Sequence, residues 1–172
     1  MIKAKPIHDI NKIKELVEYY PDTGIIKWRV NRKGPAKAGM VAGAKHGRGY
    51  IILAVDNVSY LAHRLAWAIH YGSISEDMQI DHINGDRSDN RICNLRIATH
   101  AENCRNSRAR KHNKSGIKGV RKMRSKWSSR IRINGKEIWL GSYNTPEEAK
   151  QAHDTAAVEL FGEFAENKRR PS

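Results

Sequence analysis

The sequence predicts an α+β fold built as two small modules. Three observations carry this: a length of 172 residues, short strand-like and helix-like runs that alternate along the chain, and a charge run that separates two such groups of elements. A chain of that length suits one ordinary domain or two small ones. The first group centres on a strand, loop, strand, helix segment, and the second reads as a small three-stranded antiparallel sheet packed on one helix. The expected organisation is 1–60 for an N-terminal helix and strands with a basic Gly-rich loop, 61–106 for the central segment, 107–115 for a basic linker, and 116–167 for the sheet module.

Asp9 is placed as a helix cap, and Ile10, Ile13, Leu16, Val17 and Tyr20 share one helical face, so a helix is expected over residues 9–20. Pro21-Asp22-Thr23-Gly24 reads as a turn into a strand over residues 25–30. From Asn31 to Gly49 there are five Gly and five Lys or Arg with no acid, the composition of a mobile basic loop able to approach another backbone closely. Asp56-Asn57 tolerates the positive φ of a tight hairpin between strands at 50–55 and 58–62. Leu65, Ala68 and Ile69 then fall at helical spacing in a helix that stops at Gly72. His63 and His70 read first as core or surface histidines of that helix.

The central segment has three pieces. Residues 79–83 are strand-like, residues 84–90 are dense in turn formers, and Leu95-Arg96-Ile97-Ala98 resumes as a strand. Thr99-His100-Ala101-Glu102 has the form of a capping box, which puts Asn103 in the first turn of a helix running to about Arg108. The order is thus Asp81-His82, then Asn94, then Asn103 on a helix. An acid, a neutral base and two amides in that order supply oxygen donors for a hard cation beside a group able to accept a proton.

Charge narrows the partner. The chain carries 32 Lys and Arg against 18 Asp and Glu, a formal net charge of +14. Between Arg105 and Lys136 there are 13 Lys or Arg and no acid, so those residues hold nearly all of the excess. That is the footprint of a polyanion binder, with nucleic acid ahead of an anionic membrane surface. No run approaches the roughly 18 apolar residues of a membrane span, and the first residues lack a signal-peptide core, so a soluble intracellular protein is expected. Cys93 and Cys104 are too few for a cysteine-built zinc cluster or an evident disulfide framework, and read as ordinary buried or semi-buried thiols.

His63-Arg64-Leu65, Ile80-Asp81-His82-Ile83-Asn84-Gly85-Asp86, Asp89-Asn90-Arg91, Asn94-Leu95-Arg96 and Glu102-Asn103 with Asn106 together resemble the HNH nuclease family, in particular its phage-type homing or nicking endonucleases. The resemblance implies a ββα-metal module in which His82 is the general base, Asn94 holds its imidazole through the other ring nitrogen, and Asp81 and Asn103 hold one cation. Asn103 stands where many members have histidine and matches the asparagine-ending subset; an all-oxygen pair favours magnesium or manganese. Asn84, Asp86, Asp89 and Asn90 read as loop-shaping residues.

Lys118-Gly119-Val120-Arg121, Trp127, Ile131-Arg132, Trp139-Leu140-Gly141, Glu147-Glu148-Ala149, Ala156-Ala157 and Asn167 resemble the Apetala/ethylene-response-factor type of DNA-binding domain. Strands are expected around 116–121, 126–133 and 137–143, with turns at Arg124-Ser125 and Asn134-Gly135, followed by a helix from Pro146 to Phe161 that ends at Gly162. Ala149, Ala152, Ala156 and Leu160 form its expected apolar face. The resemblance puts Lys118, Arg121, Arg130, Arg132 and Trp139 toward DNA. Alternation agrees independently for one strand, since Arg130 and Arg132 share a face opposite Ile131 and Ile133.

The combined expectation is a metal-dependent endonuclease acting on double-stranded DNA with one magnesium or manganese ion, in a prokaryotic or phage-infected cell. A monomer on DNA would nick one strand, whereas a dimer on a palindrome would break both. A DNA-binding regulator without turnover would differ by lacking part of the Asp81, His82, Asn94, Asn103 set. A structure-selective repair or recombination nuclease would have no need of a second DNA-reading module.

Overall fold

In a computed structural model, residues 7, 9–75, 77–106 and 113–165 are described. They divide into two compact units, with the division between His100 and Ala101.

In the first unit, Asp9 caps α1 (Ile10–Leu16) by accepting from the Lys12 amide at 2.9 Å. The helix is shorter than the sequence suggests. Residues from Val17 leave it as β1 (Val17–Tyr20), which pairs antiparallel with β2 (Ile25–Trp28) in the register Val17 to Trp28. The apolar positions that suit a helical face also suit a strand: Val17, Tyr19, Ile26 and Trp28 are all buried, while Glu18 and Lys27 are half-buried. A partner strand across the Pro21-Asp22-Thr23-Gly24 turn gives this face a ladder as well as a core, and the ladder wins.

Part of the expected basic loop is also ordered. β3 (Ala44–Lys45) pairs with β4 (Ile51–Val55), which pairs with β5 (Val58–Leu61). Asp56 and Asn57 close the β4–β5 hairpin at φ 48 and 62, the left-handed pair that a two-residue turn requires. α2 (Ala62–Tyr71) follows directly and stops at Gly72, φ 101. β6 (Gln79–His82) then pairs with β7 (Leu95–Ala98), aligning Asp81 with Arg96 and His82 with Leu95. Ile13, Val17, Trp28, Leu53, Leu65, Ile80 and Leu95 belong to one buried cluster, so the expected boundary at residues 60 and 61 lies inside a continuous core.

α3 (His100–Arg105) crosses the division between units. The stretch expected to carry it to Arg108, most of the linker, and Asn167 lie outside the described residues.

The second unit is a sheet in the order β10-β9-β8, from β8 (Val120–Met123), β9 (Lys126–Ile133) and β10 (Lys136–Tyr143), against α4 (Pro146–Phe161). Both expected turns form, with Arg124 at φ 44 and Asn134 and Gly135 at φ 49 and 81. Thr145 caps α4 by accepting from the Glu148 amide at 3.2 Å. The buried line along α4 is Ala149, His153 and Ala157, spaced by four, while Leu160 is exposed. The sequence offers two alanine stripes, and the sheet selects the one that places His153 beneath the chain entering β8. There Gly119, at φ +73, passes so close that an added Cβ would lie 2.0 Å from His153 Cδ2 and 2.5 Å from the Arg130 carbonyl oxygen.

Gly119→Ala is therefore expected to destabilise the second unit by at least about 2 kcal/mol, through left-handed strain and displacement of the helix. Urea unfolding of the variant against the parent checks this, and an unchanged midpoint would contradict the close approach.

Candidate active site

β6 and β7 place two buried titratable side chains next to each other in sequence and on opposite faces of a strand. Asp81 faces Arg96, its cross-strand neighbour, whose Nε and Nη2 both donate to Asp81 Oδ2, at 3.0 and 2.8 Å. The two side chains are only 7% and 9% exposed, so each charge depends on the other: removing one strands the other in a poorly solvated site. Arg96 was not singled out from sequence, although pairing the strands by length would have put it opposite Asp81.

His82 lies among rings. Its imidazole meets that of His63 edge-on, 4.8 Å between centroids at 66°, with the Tyr50 ring 5.3 Å from His63 and 6.2 Å from His82. Burial pushes the pKa of His82 down, and burial together with His82 pushes that of His63 well down. Both rings are neutral at physiological pH as a result. The Nε2 of His82 is 3.2 Å from Asn90 Oδ1. With an amide oxygen as partner, that nitrogen carries the proton and Nδ1 keeps the basic lone pair.

The family resemblance implies Asn94, rather than Asn90, on this ring. In the structure the amide of Asn94 is committed to the loop: Oδ1 accepts from the Asn84 amide at 3.0 Å and Nδ2 donates to the Asp89 carbonyl at 2.8 Å. The Ile83 amide donates to the Asn94 carbonyl at 2.8 Å, so Asn94 closes the loop at both ends. Asn84 Nδ2 to Asp89 Oδ2 and Arg91 to Asp89 add further ties, and Asp86 receives the Ser88 amide and hydroxyl. Asn90 is held from outside the loop. The buried Tyr19 hydroxyl donates to its carbonyl at 2.7 Å, the Ile92 amide donates to the Pro21 carbonyl, and Gly24 sits where a Cβ would be 2.5 Å from the Arg91 nitrogen. Thus the β1–β2 hairpin fixes the residue that orients His82.

Arg87 extends this neighbourhood toward the basic stretch, with its guanidinium 4.8 Å from the Tyr50 ring centre and Nη1 donating to the Arg48 carbonyl at 3.0 Å. Among the described residues no three His, Cys, Asp or Glu side chains gather as a metal cage. The carboxylate of Asp81 and the amide of Asn103 each carry a hard oxygen, the donor type that divalent cations such as magnesium take. Asn103 lies half-buried on α3, within the second unit.

In the second unit, Arg130 faces Trp139 across the strands and Arg121 faces Ser128, so Arg121, Arg130, Arg132 and Trp139 share one face of the sheet. Ile131, on the other face, is buried in the cluster that includes Ala157 of α4. Arg130 sits 5.2 Å from the Trp139 ring centre and donates to Glu137 at 2.9 Å. Lys118 Nζ donates to the Arg105 carbonyl at 2.5 Å and reaches the Cys104 carbonyl at 3.4 Å.

Residues 60–105, which include Asp81, His82, Asn90, Asn94 and Asn103, match the family model described as HNH endonuclease. Protein 3.8 of Escherichia phage T7 is 33% identical over 105 residues, 60% of this chain and 86% of its own length. The chain belongs to the HNH endonuclease family. An uncharacterized HNH endonuclease of Acanthamoeba polyphaga mimivirus is 36% identical over 105 residues, 60% of this chain and 54% of that protein. The chain therefore spans about half the length of the mimivirus relative. The C-terminal part is similar to an ethylene-responsive transcription factor of Arabidopsis thaliana, 54% identical over 54 residues, 30% of this chain and 29% of that one.

The buried neutral His63 makes a signed prediction. Its folded pKa is depressed, so its contribution to stability is full above the ordinary histidine value of about 6.5 and is lost as pH falls from there toward the folded value. Denaturant titrations at several pH values below neutrality should show a shallower loss for His63→Gln than for the parent; equal slopes would contradict a neutral His63.

Proposed function

We propose that the protein is a DNA endonuclease that hydrolyses phosphodiester bonds of double-stranded DNA, nicking one strand at a site chosen with the help of its C-terminal module. One observation carries the reading. Within the segment that matches the HNH family, His82 is buried and neutral, with Nε2 tied to Asn90 and its basic nitrogen therefore Nδ1.

On this reading His82 Nδ1 takes a proton from water as the oxygen attacks phosphorus, one P–O bond forms and the opposite P–O bond breaks. The imidazolium then returns its proton to solvent or to the leaving oxygen. A magnesium or manganese ion held by Asp81 and Asn103 would stabilise the developing charge on the phosphate and the leaving oxygen. Arg96 fixes the carboxylate of Asp81, and Asn94 contributes by holding the loop rather than by touching the ring. Arg121, Arg130, Arg132 and Trp139 form the surface we assign to DNA. A monomer on its site, in a prokaryotic or phage-infected cell, fits a single base and the phage relative. The transcription-factor similarity favours a second reading, a DNA-binding regulator without turnover; a retained base and carboxylate weigh against it.

Incubation with supercoiled plasmid and magnesium or manganese tests this. The parent should yield relaxed circles, chelation should stop the reaction, and Asp81→Ala should abolish it. His82→Ala should slow cleavage by about 10²-fold or more while leaving DNA binding nearly unchanged. Cleavage by His82→Ala at the parental rate would sink the mechanism.

A further inference from the structure

Each carboxylate of the loop between β6 and β7 has its own partners, and Arg87 is not among them. Asp86 accepts from the Ser88 amide and hydroxyl, at 2.9 and 2.7 Å, while Asp89 is held by Arg91 Nη2 at 2.7 Å and by Asn84 Nδ2 at 2.8 Å. Arg87 lies exposed between them, and among the described residues its guanidinium meets no carboxylate at ion-pair distance. It is engaged in another way: Nη1 donates to the Arg48 carbonyl at 3.0 Å, and the guanidinium carbon lies 4.8 Å from the ring centre of Tyr50. One face of a planar cation is thus held, while most of its donor edge stays open.

Both partners of Arg87 are themselves fixed. In the β3–β4 turn the His46 amide donates to the Tyr50 carbonyl and the Gly49 amide to the His46 carbonyl, each at 2.7 Å, and the Arg48 amide reaches His46 Nδ1 at 3.2 Å. The turn that offers the Arg48 carbonyl is therefore closed on itself. Gly49, at φ +89, sits where an added Cβ would be 3.7 Å from Arg87 Cβ, so the turn runs alongside the stem of the arginine. The Tyr50 ring in turn stands 5.3 Å from that of His63 and 6.2 Å from that of His82. Arg87, Tyr50 and His82 form a row, with the cation at its exposed end and the imidazole at its buried end. An exposed arginine ordinarily loses rotamer freedom on fixing an anion, and here the stack and the bond have removed much of it in advance. The surroundings carry the same sign: Lys45 and Arg48 are exposed, and no acid occurs from Asn31 to Gly49.

We propose that Arg87 is a phosphate ligand within the nuclease segment: stacked on Tyr50 and tied to the Arg48 carbonyl, it holds a backbone phosphate of the duplex close to the one that His82 serves. The role rests on the reading of the protein as a DNA endonuclease. Duplex DNA carries a phosphate for roughly every 3.4 Å of axis on each strand, so a cation two steps along the row from the base meets a phosphate within a few nucleotides of the reacting one. A planar fork suits the paired oxygens of a phosphate. A contact of this kind carries no sequence information and sets the register of the strand against His82 Nδ1. The first unit thereby has a DNA contact of its own, besides the one assigned to the sheet of the second.

The test uses the full chain and a duplex that the parent nicks, with binding measured in the absence of divalent cations so that no cleavage intervenes. Arg87→Gln removes the charge at an exposed position, and Arg87→Lys keeps a charge there. The slope of log affinity against log salt should become shallower by about 0.9 in Arg87→Gln, the value of one duplex phosphate, and return toward the parental slope in Arg87→Lys. Duplexes carrying one uncharged methylphosphonate at successive positions around the nick then locate the contact. The parent should bind several-fold more weakly when one phosphate within a few nucleotides of the nick is neutralised, and Arg87→Gln should be indifferent to that same change. A parental slope in Arg87→Gln, or equal sensitivity of the two proteins at every position, would overturn the proposal. A slope lost as fully in Arg87→Lys as in Arg87→Gln would overturn it as well, by making Arg87 a support for the hairpin. Failure of the parent to bind or nick any duplex would instead take down the endonuclease reading, and the proposal with it.

Discussion

The candidate site depends on one constraint, the fixed path of the loop between β6 and β7. Two residues set it from opposite sides. Asn94 ties the loop to itself through the Asn84 amide and the Asp89 carbonyl, and Tyr19 pins the carbonyl of Asn90 from the β1–β2 hairpin. Between these ties the amide oxygen of Asn90 meets His82 Nε2. A hydrogen bond of this kind contributes about 1 kcal/mol to folding, but a buried polar group left unpaired costs more, so the loop has one well-satisfied arrangement and few near alternatives. The amide oxygen of Asn90 thereby favours one tautomer of the His82 ring, with the proton on Nε2.

Electrostatics divide the same strand into two tasks. Asp81 is paired with Arg96 across the ladder in a buried place, whereas burial among rings pushes the pKa of His82 down. An ion-paired carboxylate and an imidazole whose charged form is disfavoured thus lie one residue apart. Alternation along the strand keeps the two environments separate.

Much of this was legible where the signal is local. The Asp56-Asn57 hairpin, the Gly72 and Gly162 helix stops, the Thr145 cap and both turns of the second sheet follow from residues whose backbone preferences act within a few positions. The failures are long-range. Val17 and Tyr20 fit a helical face and a strand equally well, and only pairing with residues 25–28 decides between them. Asn90 and Asn94 are both loop asparagines, and which one reaches the imidazole is set by Tyr19, 71 positions before Asn90 in sequence. The buried stripe of α4 was misplaced because two alanine lines compete and the approach of Gly119 selects between them.

The fold favours a neutral His82 with its proton on Nε2. Nitrogen NMR of the ring in uniformly labelled protein near neutral pH reads this directly, with His82→Gln used to assign the signal. The account predicts a neutral imidazole with a protonated Nε2 and an unprotonated Nδ1. A proton on Nδ1, an imidazolium, or rapid averaging between tautomers as in a free histidine would contradict it.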